Sequence, residues 1–185
     1  MPKLELNSAL KSISGGIDAW VYRSVRGRTF ICRRPTRSSA PSDAQLAVRE
    51  RFRLAADYAR AGATDPALQA AFGPLAKERG VSLFTVLMGD YLSSPTVNAI
   101  DLSGYHGQVG ELIKMRASDD VGVTKVSVAL HAADGALLEG GEAVLQFGTW
   151  VYAATTQRVP GTPVTITATA GDRPGNVGSK SETWV

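Results

Sequence analysis

The sequence changes its pattern at Pro95, and this change constrains the fold more than any other feature. Before Pro95 come a basic segment punctuated by glycine and then three stretches with helical periodicity. After it, ninety residues alternate apolar and polar side chains in seven short runs separated by glycine-containing turns. Runs of this length at intervals of roughly 8–12 residues are typical of a β-sandwich or a β-barrel.

The N-terminal segment predicts a β-hairpin. Residues 17–25 place Trp20 and Tyr22 on one face of a strand, and residues 29–33 alternate in the same way. A turn is predicted between them at residues 26–27. Because an isolated hairpin is marginally stable in water, this one must pack against the helices or against another chain.

Three helices are predicted between this hairpin and Pro95. Ser42 and Gln45 form a capping box at the start of the first helix, which is expected to end at Gly62. Pro66 opens the second helix, and Ser82 caps the third. The apolar stripe of the first helix is expected at Val48, Phe52, Ala55 and Ala59.

Three stretches of the C-terminal part carry a resemblance. They are Asp119–Val123 before a strand, Trp150–Ala153 in a strand, and Ala168–Asn176 before the last strand. Together they resemble bacterial immunoglobulin-like modules, although Gly171 is inserted into the last motif here. The resemblance implies an immunoglobulin-like β-sandwich over residues 96–185. The predicted fold class is therefore α+β, with an N-terminal β-hairpin and three-helix segment over residues 1–95 followed by this sandwich.

The whole chain also resembles a group of uncharacterised bacterial proteins. The features in common are an arginine-rich segment, residues 27–35 here, and a helix that carries Gln45, Arg49 and Phe52. That group implies no activity.

Charge is distributed unevenly along the chain. Residues 1–53 carry eleven Lys/Arg and four Asp/Glu, a balance of +7, whereas the whole chain carries +3. Residues 54–185 therefore carry −4. A basic arm joined to an acidic remainder predicts an anionic partner for the arm, which is either nucleic acid or the acidic face of another copy.

The arm combines arginine with aromatic residues. Both are enriched at subunit interfaces, and the same combination can grip phosphates while rings stack on bases. The candidate interface or anion-binding residues are Trp20, Tyr22, Arg23, Arg26, Arg28, Arg33, Arg34 and Arg37. An interface is favoured because no motif of a known nucleic-acid-binding fold is present.

Acidic loop residues of the predicted sandwich are weak Ca²⁺ candidates. Asp119, Asp120, Asp172 and Asn176 could converge at one end of an immunoglobulin-like fold. The favoured interpretation is that these side chains cap their own turns, so no metal and no cofactor are predicted. A single cysteine and two histidines also exclude an intrachain disulfide and a zinc site of the usual type.

No catalytic constellation is present in the sequence, so no catalytic residue is assigned and the chain is not expected to be an enzyme. The phosphate-binding, dinucleotide-binding and nucleophile-elbow motifs are missing. No apolar run is long enough to cross a membrane. The N-terminus lacks the apolar core of a secretory signal, which predicts a cytoplasmic protein as synthesised, with its final location open.

The predicted function is that of a non-catalytic structural protein that self-assembles, as a homo-oligomer, through its basic N-terminal arm. One alternative is an accessory nucleic-acid-binding protein that uses the same arginines. A carbohydrate-binding or adhesion module is a further alternative, and it would require export.

Overall fold

The computed structural model describes residues 3–4, 15–25, 28–34 and 40–185. These residues belong to two compact units, an N-terminal unit within residues 1–46 and a C-terminal unit of residues 47–185. They contain three helices and three antiparallel sheets, so the fold class is α+β as predicted. The two units divide between Leu46 and Ala47, and a boundary at residue 95 between the helical segment and the sandwich stays a prediction.

A four-stranded antiparallel sheet forms the N-terminal unit. Its strands are β1 (Lys3–Leu4), β2 (Gly15–Ile17), β3 (Trp20–Val25) and β4 (Arg28–Arg33), in the order β1-β4-β3-β2. The predicted hairpin is formed by β3 and β4, where Trp20 pairs with Arg33 and Val25 pairs with Arg28. Its predicted turn at residues 26–27 lies outside the described residues.

The helices are α1 (Asp43–Thr64), α2 (Pro66–Arg79) and α3 (Leu83–Leu92). The predicted capping box is present, because the Gln45 N–H donates to Ser42 Oγ at 3.3 Å and the Ser42 N–H donates to Gln45 Oε1 at 3.3 Å. Asp65 and Ser82 cap the next two helices with their side chains.

Two sequence predictions about α1 are wrong. Gly62 lies inside the helix, where an added Cβ would come within 2.9 Å of the Leu68 side chain and 3.0 Å of the Leu87 side chain. This glycine therefore serves close helix packing and does not end the helix. The predicted apolar stripe is buried at Ala55 and Ala59 but exposed at Val48 and Phe52. The reason is that the helical core, formed by Ala59, Phe72, Ala76, Val86 and Leu87, packs on the second half of α1.

Two four-stranded antiparallel sheets make up the rest of the C-terminal unit. Their strands are β5 (Thr96–Asp101), β6 (Leu112–Ser118), β7 (Lys125–Ala132), β8 (Leu137–Glu142), β9 (Val144–Gln146), β10 (Thr149–Ala153), β11 (Val164–Gly171) and β12 (Val177–Trp184). The strand orders are β5-β6-β10-β9 and β12-β11-β7-β8. Every predicted strand of this part is present within a few residues of its expected bounds, and β9 is additional.

The two sheets bury their inner faces against each other and form a β-sandwich. The positions predicted to point inward are all buried, namely Ile113, Met115, Val126, Val128, Leu130, Val164, Ile166 and Ala168. Trp184, near the end of the chain, packs its ring against Tyr105 with the ring centroids 5.1 Å apart.

Polar contacts join the helices to the sandwich. Arg79 of α2 donates to the Asp120 carboxylate at 3.1 Å and to the Asp120 carbonyl oxygen at 2.8 Å. Val121, in the same loop, packs against the helical core. These contacts explain why the helices belong to the same unit as the sandwich.

The fold is expected to lose stability when any larger residue replaces Gly178, at the start of β12. An added Cβ at Gly178 would overlap the carbonyl oxygen of Pro95, because β12 runs against the start of β5 there. Gly178→Ala is expected to lower the free energy of unfolding by about 1–3 kcal/mol, since backbone must move to admit the methyl group. Urea denaturation of the two proteins measures this difference.

The control is Gly89→Ala in α3, where an added Cβ would meet the Asp120 carboxylate at an ordinary distance of 3.4 Å. This substitution is expected to raise the free energy of unfolding by up to about 1 kcal/mol, since alanine favours helix. Equal losses in both variants would contradict the close approach at Gly178.

Candidate assembly surface

The strand register of the N-terminal unit defines two faces of its sheet, because residues paired across strands lie on the same face. The Trp20 face carries Ile17, Trp20, Tyr22, Ile31 and Arg33. The Phe30 face carries Val21, Arg23, Val25, Arg28, Phe30 and Cys32. Both faces are therefore rich in aromatic and branched side chains.

Neither face has a buried hydrophobic core. Among the described residues of the N-terminal unit, no hydrophobic side chain is buried, and the buried residue is Thr29. Ile17 is 65%, Trp20 48% and Val25 48% exposed. An antiparallel sheet in a soluble protein normally packs one face on a core. Apolar side chains of both faces are thus exposed at Ile17, Trp20 and Val25.

The arginines predicted to form one cluster are divided between these faces. Arg23 and Arg28 lie on the Phe30 face, where Arg23 pairs with Phe30, while Arg33 lies on the Trp20 face. Arg34 follows β4, and its backbone N–H donates to the Ala19 carbonyl oxygen at 2.7 Å. The other two candidates, Arg26 and Arg37, lie outside the described residues.

The Ca²⁺ candidates of the sandwich loops are engaged in protein hydrogen bonds. Asp172 Oδ1 accepts from the backbone N–H groups of Gly175 and Asn176 at 2.9 and 2.6 Å. The Asn176 side-chain amide donates to Asp172 Oδ2 at 2.7 Å and to the Ser93 carbonyl oxygen, beyond α3, at 2.8 Å. Asp119 Oδ2 accepts from the Gly122 N–H at 3.3 Å. These residues organise loops and join one of them to the end of α3.

A buried carboxylate beside these loops was not predicted from the sequence. Asp90 of α3 is 1% exposed, and its Oδ2 accepts a hydrogen bond of 2.8 Å from the Tyr58 hydroxyl of α1. Burial raises the pKa of Asp90, and the nearby carboxylates of Asp172 and Asp119 raise it further. Asp90 also lines a cavity of about 160 Å³ with Phe72 and Arg173.

A second buried carboxylate, Glu139 of β8, lies among hydroxyl groups. It accepts a hydrogen bond from the Tyr152 hydroxyl at 2.8 Å. The backbone N–H and the hydroxyl of Thr155 donate to it at 2.5 and 3.0 Å. The backbone N–H and the hydroxyl of Thr156 donate to it as well. Burial opposes ionisation, but these donors outweigh it and hold the pKa of Glu139 below its usual range. Burial and the same carboxylate raise the pKa of Tyr152 to about 12.

Neither a metal site nor a membrane span is evident in the part of the chain that the structure describes. No three of its His, Cys, Asp and Glu side chains converge in a way that could hold a metal ion. None of its helices combines the length and the hydrophobicity that crossing a bilayer requires.

Comparison with known proteins identifies no family for the chain. No protein-family model matches it. No curated protein is significantly similar to it.

Three solved structures are similar to about half of the chain. CopC from Methylosinus trichosporium OB3b is 16% identical with a TM-score of 0.35, over 48% of this chain and 89% of CopC. A tetra-tandem repeat in the extending region of a large adhesion protein is 20% identical with a TM-score of 0.33, over 49% of this chain and 23% of the other. The bromine derivative of BhCBM56 is 16% identical with a TM-score of 0.31, over 42% and 83% of the two chains.

Glu139 is expected to stabilise the sandwich as an ionised acceptor. Glu139→Gln places an amide N–H₂ among donors, so it should lower the free energy of unfolding at pH 7 by about 1.5–3 kcal/mol. The folded-state pKa of Glu139 lies below the unfolded value of about 4.3. The stabilisation is therefore complete above that value and is lost as the pH falls through the folded-state pKa. Denaturation measured between pH 7 and pH 3 tests both statements.

The control is Glu142→Gln, at an exposed position of the same strand. This change is expected to alter stability by less than about 0.5 kcal/mol at any pH. A deficit in Glu139→Gln that stays constant down to the lowest pH would mean that the ionised carboxylate is not what stabilises the fold.

Proposed function

We propose that this chain is a non-catalytic structural protein that self-assembles through its N-terminal sheet. The observation that carries the proposal is a four-stranded sheet with apolar side chains on both faces and no buried hydrophobic residue among those described. An antiparallel sheet normally buries one of its two faces against a core. A second copy of the chain covers a face of this sheet, and burial of residues such as Trp20 drives the association.

Charge supports a second copy as the partner. Residues 1–46 carry +5 and residues 47–185 carry −2, so the N-terminal unit of one copy is attracted to the C-terminal unit of the next. The positive charges on the N-terminal units of two copies repel each other. Association through this surface therefore weakens as salt screens the charges.

We infer that the sandwich of the C-terminal unit is immunoglobulin-like. When β5 to β12 are lettered A, B, C, C′, D, E, F and G in chain order, the two sheets become A-B-E-D and G-F-C-C′. These orders are those of the immunoglobulin fold with a C′ strand. The sandwich acts as the rigid body of each subunit, and the arm supplies the contact.

Nucleic-acid binding by the arginines is the competing use of this surface. A single strand that follows one face would meet Arg23 and Arg28 but not Arg33, which lies on the opposite face. This division favours the interface between copies. The two uses respond differently to nuclease, so one experiment separates them.

Removal of residues 1–40 is expected to convert an assembly into a monomer with an intact sandwich. Light scattering after size-exclusion chromatography, with nuclease treatment at low and high salt, should give a full-length particle well above 19.5 kDa. The truncated chain should elute as a monomer. Trp20→Asp should weaken assembly in the same direction, because it places a charge on the Trp20 face.

Val177→Asp is the matched control, since Val177 is an exposed apolar residue on β12 of the sandwich. It should assemble like the unchanged protein. A full-length chain that is monomeric at low salt would overturn self-assembly. A large particle that nuclease reduces to monomers would instead establish nucleic-acid binding.

A further inference from the structure

The hairpin between β9 and β10 exposes an aromatic ring that has no role in the fold of its own chain. Gln146 pairs with Thr149, so the loop consists of Phe147 and Gly148. The Phe147 side chain is fully exposed, next to the exposed apolar residues Val144 and Leu145 of β9. A contact outside the subunit would account for a ring in this position.

The backbone at this tip is also unfavourable for phenylalanine. Phe147 has φ +48° and Gly148 has φ +80°. Hairpin loops of this type prefer asparagine or glycine at the first position, because a larger side chain is strained at positive φ. The chain thus holds Phe147 at the tip at a local cost, which is typical of residues that act in recognition.

A cavity of about 250 Å³ that is open to the surface and lined mostly by apolar side chains lies at the other end of the sandwich. Its lining includes Ala132, Leu138, Arg158, Val159, Pro163 and Val164. An apolar cavity of about 150 Å³ is enough to hold a benzene molecule, so this one can hold a phenylalanine ring. Its volume therefore admits the ring at the hairpin tip, and Gln157 and Thr162 add polar groups to its lining.

The hairpin tip cannot reach the cavity of its own chain. Phe147 precedes the first residue of β10, whereas Arg158 and Val159 belong to the loop that follows its last residue. The two ends of the five-residue strand β10 lie about 13 Å apart. The ring and the cavity can therefore meet only between two molecules.

One cationic side chain lies in the wall of the cavity. The charged residue in the cavity wall is Arg158, whose guanidinium is held by the Leu138 carbonyl oxygen at 3.1 Å and the Thr156 hydroxyl at 2.7 Å. The cleft beside the hairpin contains Asp119 together with Leu145 and Gly148. A ring in the cavity would lie near Arg158, which favours the face of an aromatic ring.

We propose that Phe147 of one copy inserts into the apolar cavity of the next, so that the sandwiches join end to end. A contact between two different surfaces of the same chain is heterologous, and it generates a row of subunits rather than a closed dimer. One ring buries roughly 150–250 Å², against about 1,200 Å² for a stable interface. The contact therefore rests on the proposed self-assembly, and it acts together with the N-terminal sheet.

Cross-linking of the full chain tests this contact. In a Cys32→Ser background, Gln146→Cys next to the ring and Val159→Cys at the cavity are combined and treated with a short bismaleimide. A ladder of dimers, trimers and higher species on a denaturing gel is the expected result. The control combines Gln146→Cys with Val177→Cys, because Val177 begins β12 at the same end of the sandwich as the hairpin. That pair should give no ladder.

Phe147→Gly then removes the ring without weakening the turn. Glycine tolerates positive φ, so the variant should unfold at the same or a higher urea concentration, while the ladder decreases about tenfold or more. A ladder that persists in Phe147→Gly overturns the proposal. So does the absence of a ladder with the Gln146 and Val159 cysteines.

These outcomes are separate from the fate of the N-terminal sheet. If full-length protein assembles in an arm-dependent way without forming the ladder, the Phe147 contact is wrong and the arm contact stands. If the ladder requires Phe147, and the chain without residues 1–40 still forms both the ladder and a particle well above 19.5 kDa, the Phe147 contact stands and assembly through the arm is wrong.

Discussion

Hydrophobic burial between two sheets holds the C-terminal unit together, and the described residues of the N-terminal sheet include no equivalent core. Alternating side chains of β6, β7 and β11 fill the space inside the sandwich. In the N-terminal unit the same alternation produces two apolar faces that are at best half-buried in the described residues. Since apolar burial is the main favourable contribution to folding, we propose that the N-terminal unit depends on a partner and the C-terminal unit does not. The proposed assembly follows from this difference.

Carboxylates that resemble a binding site instead connect parts of the C-terminal unit. Asp172 and Asn176 link the last loop of the sandwich to the end of α3, and Asp120 links the preceding sheet to α2 through Arg79. Glu139 fixes the loop after β10 by accepting from Thr155 and Thr156. That loop forms the wall of the cavity proposed for Phe147, so a buried polar network supports an apolar docking site.

The features that depend on residues close in sequence, such as strand alternation and helix capping, were predicted correctly. Period-two alternation identified Val126 and Ile166 as inward positions, and the capping box placed the start of α1 correctly. Features that depend on distant residues could not be predicted. Nothing near Glu139 or Asp90 distinguishes them among seventeen acidic residues, because their hydrogen-bond partners are far away in sequence. A Phe-Gly dipeptide likewise gives no signal for a tight hairpin, because the strain at Phe147 contradicts local preference.

The most direct test of this account is hydrogen–deuterium exchange at several protein concentrations. If the N-terminal sheet is stable only when another copy covers it, amides of β3 and β4 should exchange rapidly in dilute solution and become protected as the concentration rises. Amides of β7 and β11 should be protected equally at every concentration, because their sandwich is complete within one chain. Protection of β3 and β4 that is strong and independent of concentration would show that the sheet needs no second copy, and it would contradict the account.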